Sequence, residues 1–214
     1  MSMHNKDNRG GIIMLDARTD RSAVCIRHKI YARHENVDSS TRLSIKLIKH
    51  CINTVLRLEG IHLPCEVSVL IIDNNAIKKI NGDFRGIDAT TDVLSFPLQE
   101  LRPGSFAQSI RAGDAESEII DDPKNSSENH LLRSLSNELT NLVDSQPLPL
   151  GDIVISAERV RTQAVEFGNT LEHETAYLTI HSVLHLLGYD HTDEAEDKRI
   201  MRTREKTIMT MIDD

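Results

Sequence analysis

Three histidines stand within eleven residues near the C-terminal end of the chain: His181, His185 and His191. The first two are four residues apart, so on a helix they share one face and both imidazoles can reach one metal ion at roughly 2.0–2.1 Å. Gly188 stands where a left-handed residue would end that helix and turn His191 back toward the other two. Three neutral imidazoles leave one position of a tetrahedral zinc ion open, which indicates a catalytic site rather than a structural one.

The same spacing also fits the metzincin protease pattern H-E-x-x-H-x-x-G-x-x-H, with Gly188 and the histidines in register. The residue after the first histidine is Ser182, where those proteases carry the glutamate that takes a proton from the attacking water. A serine hydroxyl cannot replace that glutamate near neutral pH. A metalloprotease-like hydrolase is therefore the weaker alternative.

The composition is that of a globular protein. The chain has 214 residues, of which 39% are hydrophobic and 27% charged, enough for one domain with a sizeable core. No stretch approaches the roughly 20 apolar residues of a membrane span. The net charge of −8 counts against a nonspecific nucleic-acid binder, although a local basic groove remains compatible with it.

Cysteine usage bears on the cellular compartment. Cys25, Cys51 and Cys65 are odd in number and widely spaced, which argues against a disulfide framework and for a reducing environment. Residues 1–20 lack the apolar core of a signal peptide and are predicted to be a disordered tail. We therefore expect a cytoplasmic protein, with organellar targeting left open.

Alternating strand and helix patterns predict an α/β or α+β fold. We expect a single domain over residues 21–214, built around a small mixed sheet of about four strands, with the zinc site on a C-terminal helix and the following turn. The predicted strands are 65–72, 91–96 and 151–156, with a first strand or hairpin within 23–32. The first predicted helix covers 43–58 and is capped by residues 38–41, and the second covers 74–80 and ends at Asn81-Gly82. Three further helices are predicted over 157–167, over 171–187 and from 192 onward.

Three further features concern charge. Residues 101–149 are polar and acidic, and we predict a flexible surface insertion there, with a weak helix at 131–143. In the last helix acidic residues precede the basic ones of 198–206, an order that suits the helix dipole, so no function is expected of these charges. The first long helix carries a basic stripe, most simply a solvated face, with RNA binding as the alternative; its members are Arg42, Lys46, Lys49 and Arg57.

Three separated segments resemble the YbeY family of endoribonucleases, which act in ribosomal RNA maturation. His181-Ser-Val-Leu-His-Leu-Leu-Gly-Tyr-Asp-His191 is similar to the family's H-G-x-L-H-L-x-G-Y-D-H signature. Residues 80–97 are similar to the block that ends in T-D-V-L-S-F-P, and residues 150–156 to the strand L-G-D-I-x-I-S. Ser182 stands where the family usually has glycine. Because serine is also small, we expect it to admit close approach of backbone or substrate. The insertion at 101–149 is longer than usual.

The resemblance implies one zinc ion bound by His181, His185 and His191 in a mixed α/β fold, and a cleft in which Arg85 is functionally important. It implies single-stranded or flexible RNA as substrate, especially the 3′ end of small-subunit ribosomal RNA. The implied partners are the small ribosomal subunit or its assembly factors. From the residues alone, a surface ion pair of Arg85 with Asp83 or Asp88 is the preferred explanation, and only the resemblance reverses that preference.

Cleavage of a phosphodiester at such a site would be metal-assisted hydrolysis. Zinc lowers the pKa of a bound water from ~15.7 to ~7, and an arginine can hold the nonbridging oxygens through two donors. The motif contains no evident general base, so water and the RNA 2′-hydroxyl both stand as attacking groups. Asp190 is either an acceptor for a histidine or a turn residue, and Asp92, Ser95 and Asp152 are expected to cap strand ends and pack the sheet. A non-catalytic ribosome-assembly factor with a structural zinc is the remaining alternative.

Overall fold

The computed structural model describes residues 26–61, 63–103, 146–190 and 195–212. The predicted tail at 1–20 and the predicted helix at 131–143 lie outside these ranges. So do Cys25, His191 and most of the predicted insertion.

The described residues form a four-stranded mixed sheet in the order β1-β2-β4-β3. Strand β2 is parallel to β1 and β4, whereas β3 is antiparallel to β4 and lies at the edge. The predicted small mixed sheet of about four strands is confirmed. The strands are β1 (Lys29–His34), β2 (Cys65–Ile72), β3 (Val93–Pro97) and β4 (Leu148–Ser156).

Five α-helices pack around this sheet within the described residues. The larger core joins one face of β2 to α1, α4 and α5. On the opposite face Ile77 of α2 packs against Leu94 and Val154. The helices are α1 (Ile45–Leu58), α2 (Asn74–Arg85), α3 (Ala157–Phe167), α4 (Leu171–Leu186) and α5 (Ala195–Thr210).

The predicted end of α2 at Asn81-Gly82 is wrong. The buried Asn81 side chain donates a hydrogen bond to the carbonyl of Ala89 at 2.8 Å, and the helix continues for another turn. Packing of the apolar face offsets the cost of a glycine inside a helix, about 1 kcal/mol. The left-handed residue that ends α2 is Gly86, at φ 71°. Arg85 is therefore the last residue of a helix and not part of a loop.

Other predicted boundaries also differ. Asp38 caps a short 3-10 turn at Ser39–Thr41, and Ser44 caps α1. Strand β4 begins at Leu148, three residues before the predicted Gly151, within the segment predicted as insertion. Pro149 obscured this start, because proline is rare inside sheets. Proline is tolerated at position 149 because the pairing of β4 with β2 is irregular there. In addition, the pairing of β4 with β3 starts only at Gly151.

Two predictions about the chain's environment can be compared with the described residues. No helix among them is both long enough and apolar enough to cross a lipid bilayer. Cys51 and Cys65 are buried and are not bonded to each other, and burial raises the pKa of each thiol to about 12. Both thiols are therefore protonated and poor nucleophiles at neutral pH.

Candidate active site

Helix α4 presents two histidines of the motif on one face. The Thr170 side chain caps the helix by accepting a hydrogen bond from the backbone N–H of His173 at 3.1 Å. The imidazole centroids of His181 and His185 lie 4.6 Å apart with their planes at 85°. This is the proximity expected of residues four apart on a helix, so the predicted shared face is confirmed.

The turn after α4 depends on a glycine. Gly188 has φ 86°, its N–H bonds to the carbonyl of His185 at 3.0 Å, and the N–H of Tyr189 bonds to the carbonyl of Leu184 at 3.0 Å. These two bonds form a Schellman motif, and the predicted helix stop is confirmed. A Cβ atom at position 188 would overlap the carbonyl oxygen of Leu101. Both the backbone conformation and the close approach of another segment require glycine here.

A cleft of about 610 Å³ brings Arg85 together with His181 and His185. One wall is formed by the end of α2 and the edge strand β3, and the other by α4 and its turn. Segments about 100 residues apart in the chain thus meet in one site. The other lining residues are Thr91, Asp92, Val93, Ser95, Pro97, Gly188, Tyr189 and Asp190.

Arg85 is exposed at the end of α2 and lines this cleft. Of the two surface partners considered from the sequence, Asp88 pairs with Lys78 at 3.3 Å. Arg85 forms no ion pair with Asp83 or with any other residue that the structure describes. The surface-pair interpretation of this arginine is therefore not supported.

A carboxylate stands behind the first histidine. The Nδ1 atom of His181 lies 2.6 Å from Oε1 of Glu205, and because a carboxylate only accepts, the imidazole N–H donates. Glu205 lies on α5 and is only 5% exposed. Tyr177 lines the same region, and burial, followed by the charge of Glu205, raises its pKa to about 12. A carboxylate in this position selects the imidazole tautomer and holds the ring in place.

Sequence reasoning missed Glu205, which lies 24 residues after its partner. A signal was present, however. Met201, Glu205 and Ile208 have the spacing of one helix face, and all three are buried. An acidic residue in an otherwise apolar stripe indicates a buried polar partner.

A second buried network anchors the turn after α4. The hydroxyl of Tyr189 donates to Oε2 of Glu59 at 2.7 Å, and Arg204 donates to the other oxygen of the same carboxylate. Glu59 lies at the end of α1, so the turn is tied to both α1 and α5. Burial, together with the bond to Glu59, raises the pKa of Tyr189. This network was also missed, because its members are distant in sequence.

Asp92 lines the cleft, but its carboxylate is fully engaged. It accepts hydrogen bonds from Gln163 at 3.0 Å, from the Val93 N–H at 2.8 Å and from the Thr91 hydroxyl at 3.1 Å. Burial opposes ionisation, but these bonds outweigh it and lower the pKa of Asp92. The side chain therefore fixes the start of β3, and the predicted capping role is confirmed. Ser95 also lines the cleft, whereas Asp152 is exposed outside it.

Ser182 lies outside the cleft. It is completely buried, and its hydroxyl donates to the carbonyl of Leu178 at 2.8 Å. The part of the expectation that concerns substrate is wrong, because one helical step rotates Ser182 by about 100° from His181 into the core. Asp190 lies exposed on the rim of the cleft, and the carboxylate that accepts the hydrogen bond of His181 Nδ1 is Glu205.

The chemistry of the described donors fits a zinc ion. His181 and His185 are adjacent, and His181 has the carboxylate partner usual for a metal-binding imidazole. No three histidine, cysteine or acidic side chains form a metal-holding group within the described ranges, and His191 lies outside them. The three-histidine ligand set stays a prediction.

The chain was compared with known proteins. A family model described as Endoribonuclease YbeY matches residues 29–213. A protein named Endoribonuclease YbeY from Clostridium botulinum (strain 657 / Type Ba4) is 42% identical over 162 residues, which cover 76% of this chain and 84% of that protein. The protein of the same name from Clostridium beijerinckii is 38% identical over 180 residues, covering 84% and 93%.

A solution structure of a Thermotoga maritima protein superposes with a TM-score of 0.48 at 24% identity, covering 86% of this chain and 88% of the other. The family match extends over most of the sequence and includes both walls of the cleft. The chain belongs to the YbeY family.

Proposed function

We propose that this protein is a zinc-dependent, single-strand-specific endoribonuclease of the cytoplasm that matures the 3′ end of small-subunit ribosomal RNA. The observation that supports this proposal is the cleft in which Arg85 joins His181 and His185, with Glu205 behind His181. The name of the family and of its relatives makes RNA the substrate class. The small ribosomal subunit and its assembly factors are the proposed partners.

His181, His185 and His191 would hold the zinc ion. When bound, zinc supplies a Lewis acid for a phosphoryl oxygen and acidifies a water molecule. Glu205 accepts a hydrogen bond from the Nδ1–H of His181, which leaves Nε2 of that ring as the atom that would bind the metal and makes the imidazole a stronger ligand. The buried bond between Tyr189 and Glu59 holds the turn that leads to His191.

Arg85 would bind the scissile phosphate. Its guanidinium is ionised at every relevant pH and presents parallel N–H donors that match two phosphate oxygens. Negative charge builds up on these oxygens during cleavage, so donors placed beforehand stabilise the transition state more than the bound substrate. Asp92 is not the general base, because its three hydrogen bonds stabilise the ionised carboxylate and so make it a weak proton acceptor.

Cleavage of an end-labelled ribosomal RNA 3′ fragment tests this function. We expect wild type to cut, His185→Ala to lose activity, and Arg85→Ala to lose on the order of 10²–10³-fold in rate, as for removal of one transition-state donor. Lys79→Ala is the matched control, since Lys79 is an exposed cation on the same helix outside the cleft. Equal cleavage by all four proteins would identify a contaminating nuclease and refute the assignment.

The attacking group is a separate question. A fragment with a single 2′-deoxy substitution at the scissile nucleotide is still cut if water attacks, and is not cut if the 2′-hydroxyl attacks. Binding of the substituted fragment must be measured in parallel. The assembly-factor alternative with a structural metal predicts that His185→Ala unfolds while wild type cuts no RNA. A casein digest tests the protease alternative, and we expect no digestion.

A further inference from the structure

A second groove, of about 260 Å³, shares His181 with the cleft. It lies between α4 and α5, and its floor contains the buried side chains of Met201 and Glu205. The groove is lined by Tyr177, His181, Lys198, Met201, Arg202 and Glu205. The two cavities therefore adjoin the same imidazole, one beside Arg85 and the other along α5.

The wall on α5 is cationic. Lys198 and Arg202 are both exposed and stand four residues apart, so they lie on the same side of the helix. Neither forms an ion pair within the described parts of the chain. Arg199 differs, because it makes two hydrogen bonds to Glu196, at 3.1 and 2.7 Å, and does not line the groove.

The helix dipole does not account for these cations. The last turn of α5 contains no basic residue, so the expectation that basic residues complement its C-terminal end is wrong. Lys198 is only the fourth residue of the helix, near the end where the dipole disfavours positive charge. In a chain of net charge −8, these two cations beside His181 pair with no described acidic residue and are therefore available to an anionic ligand.

We infer that Lys198 and Arg202 form a subsite for a backbone phosphate of the RNA strand, next to the phosphate that Arg85 binds. This inference rests on the proposed function. Arginine offers paired donors to phosphate oxygens, and lysine a mobile point charge. A strand that places one phosphate beside His181 then carries a neighbouring phosphate into the groove, where it meets the two cations. The subsite contributes to binding and register, not to the chemical step.

The test compares two doubly substituted proteins of equal charge. Lys198→Ala/Arg202→Ala removes both groove cations, and Arg199→Ala/Lys206→Ala removes two cations of the same helix that do not line the groove. Binding of labelled single-stranded RNA to the zinc-loaded proteins is measured by fluorescence anisotropy at several salt concentrations. Rates of cleavage give kcat and KM, and a zinc titration of each protein reports an intact metal site.

For the groove variant we expect KM and Kd to rise about tenfold or more, with kcat and zinc affinity unchanged. In a plot of the logarithm of the binding constant against the logarithm of the salt concentration, the slope should become less steep. The change should be about 0.7 for each RNA phosphate that the variant no longer neutralises. The control should keep most of the wild-type affinity and slope.

Equal weakening of both variants, or unchanged binding by the groove variant, would overturn the subsite while leaving the nuclease function intact. Saturable binding of inorganic phosphate that does not compete with RNA would also overturn it. Absence of RNA binding and cleavage by wild type would overturn the proposed function itself.

Discussion

The Nδ1 atom of His181 on α4 lies 2.6 Å from the Oε1 atom of Glu205 on α5. The bond joins a motif residue to a helix that carries no part of the motif. Because Glu205 is buried, water competes little for its oxygens, and the imidazole has a fixed orientation before any ligand binds. Under the proposed function, this pair would prepare His181 as a zinc ligand.

Substitution Glu205→Gln should weaken zinc binding by about 10–100-fold, because the amide keeps the shape of the side chain but removes the charge that strengthens His181 as a ligand. Competition with a chelating dye measures the affinity without reference to cleavage. Glu174→Gln is the matched control. Glu174 on α4 is also a buried acid, 2% exposed, but it accepts its hydrogen bond from Asn169, at 3.0 Å. Equal zinc affinity in the two variants would contradict the role of Glu205.

Gly188→Ala should destabilise the protein more than Gly168→Ala. Both glycines are left-handed, at φ 86° and 69°, so each alanine costs about 1–2 kcal/mol of conformational energy. A Cβ at 168 meets open space, whereas one at 188 overlaps the backbone of Leu101, which adds about 1–3 kcal/mol. Urea denaturation of both variants measures the difference. Equal free energies of unfolding would show that the contact with Leu101 relaxes at no cost.

The stabilisation provided by Asp92 should depend on pH in the acid range. Its pKa in the folded protein lies below the ordinary value of 3.8, so the stabilisation is complete above that value and disappears as the pH falls through the folded pKa. Asp92→Asn should cost about 1–3 kcal/mol at pH 7 and progressively less below pH ~4. Free energies of unfolding between pH 2.5 and 7 give the profile. The exposed Asp152→Asn is the control, and a cost for Asp92→Asn that did not change with pH would contradict the prediction.

Tyr189→Phe should lower the free energy of unfolding by about 1.5–3 kcal/mol, because it removes a buried hydrogen bond to a charged carboxylate. Tyr31→Phe, at a position 55% exposed, should change it little. Chemical denaturation measures both. We also expect weaker zinc binding by Tyr189→Phe, because the turn that leads to His191 loses its anchor to Glu59. Unchanged stability would mean that the hydrogen bond to Glu59 makes no net contribution to the free energy of unfolding.

Several features of the fold and site follow from local sequence. The β2 strand and helix α3 were predicted with their observed bounds, and the same-face placement of His181 and His185 and the stop at Gly188 were also correct. Each depends on the periodicity of a single element or on the conformational preference of one residue. Such properties act over a few residues and need no partner elsewhere in the chain.

Other features depend on long-range packing. Arg85 enters the cleft because α2 runs one turn beyond Gly82 and ends beside the edge strand β3. Glu205 meets His181 only because α5 packs across α4. The spacing of residues within one helix indicates which side chains share a face. Only the packing of separate elements decides which distant carboxylate or cation faces them, because that choice is made by the burial of apolar surface over the whole domain.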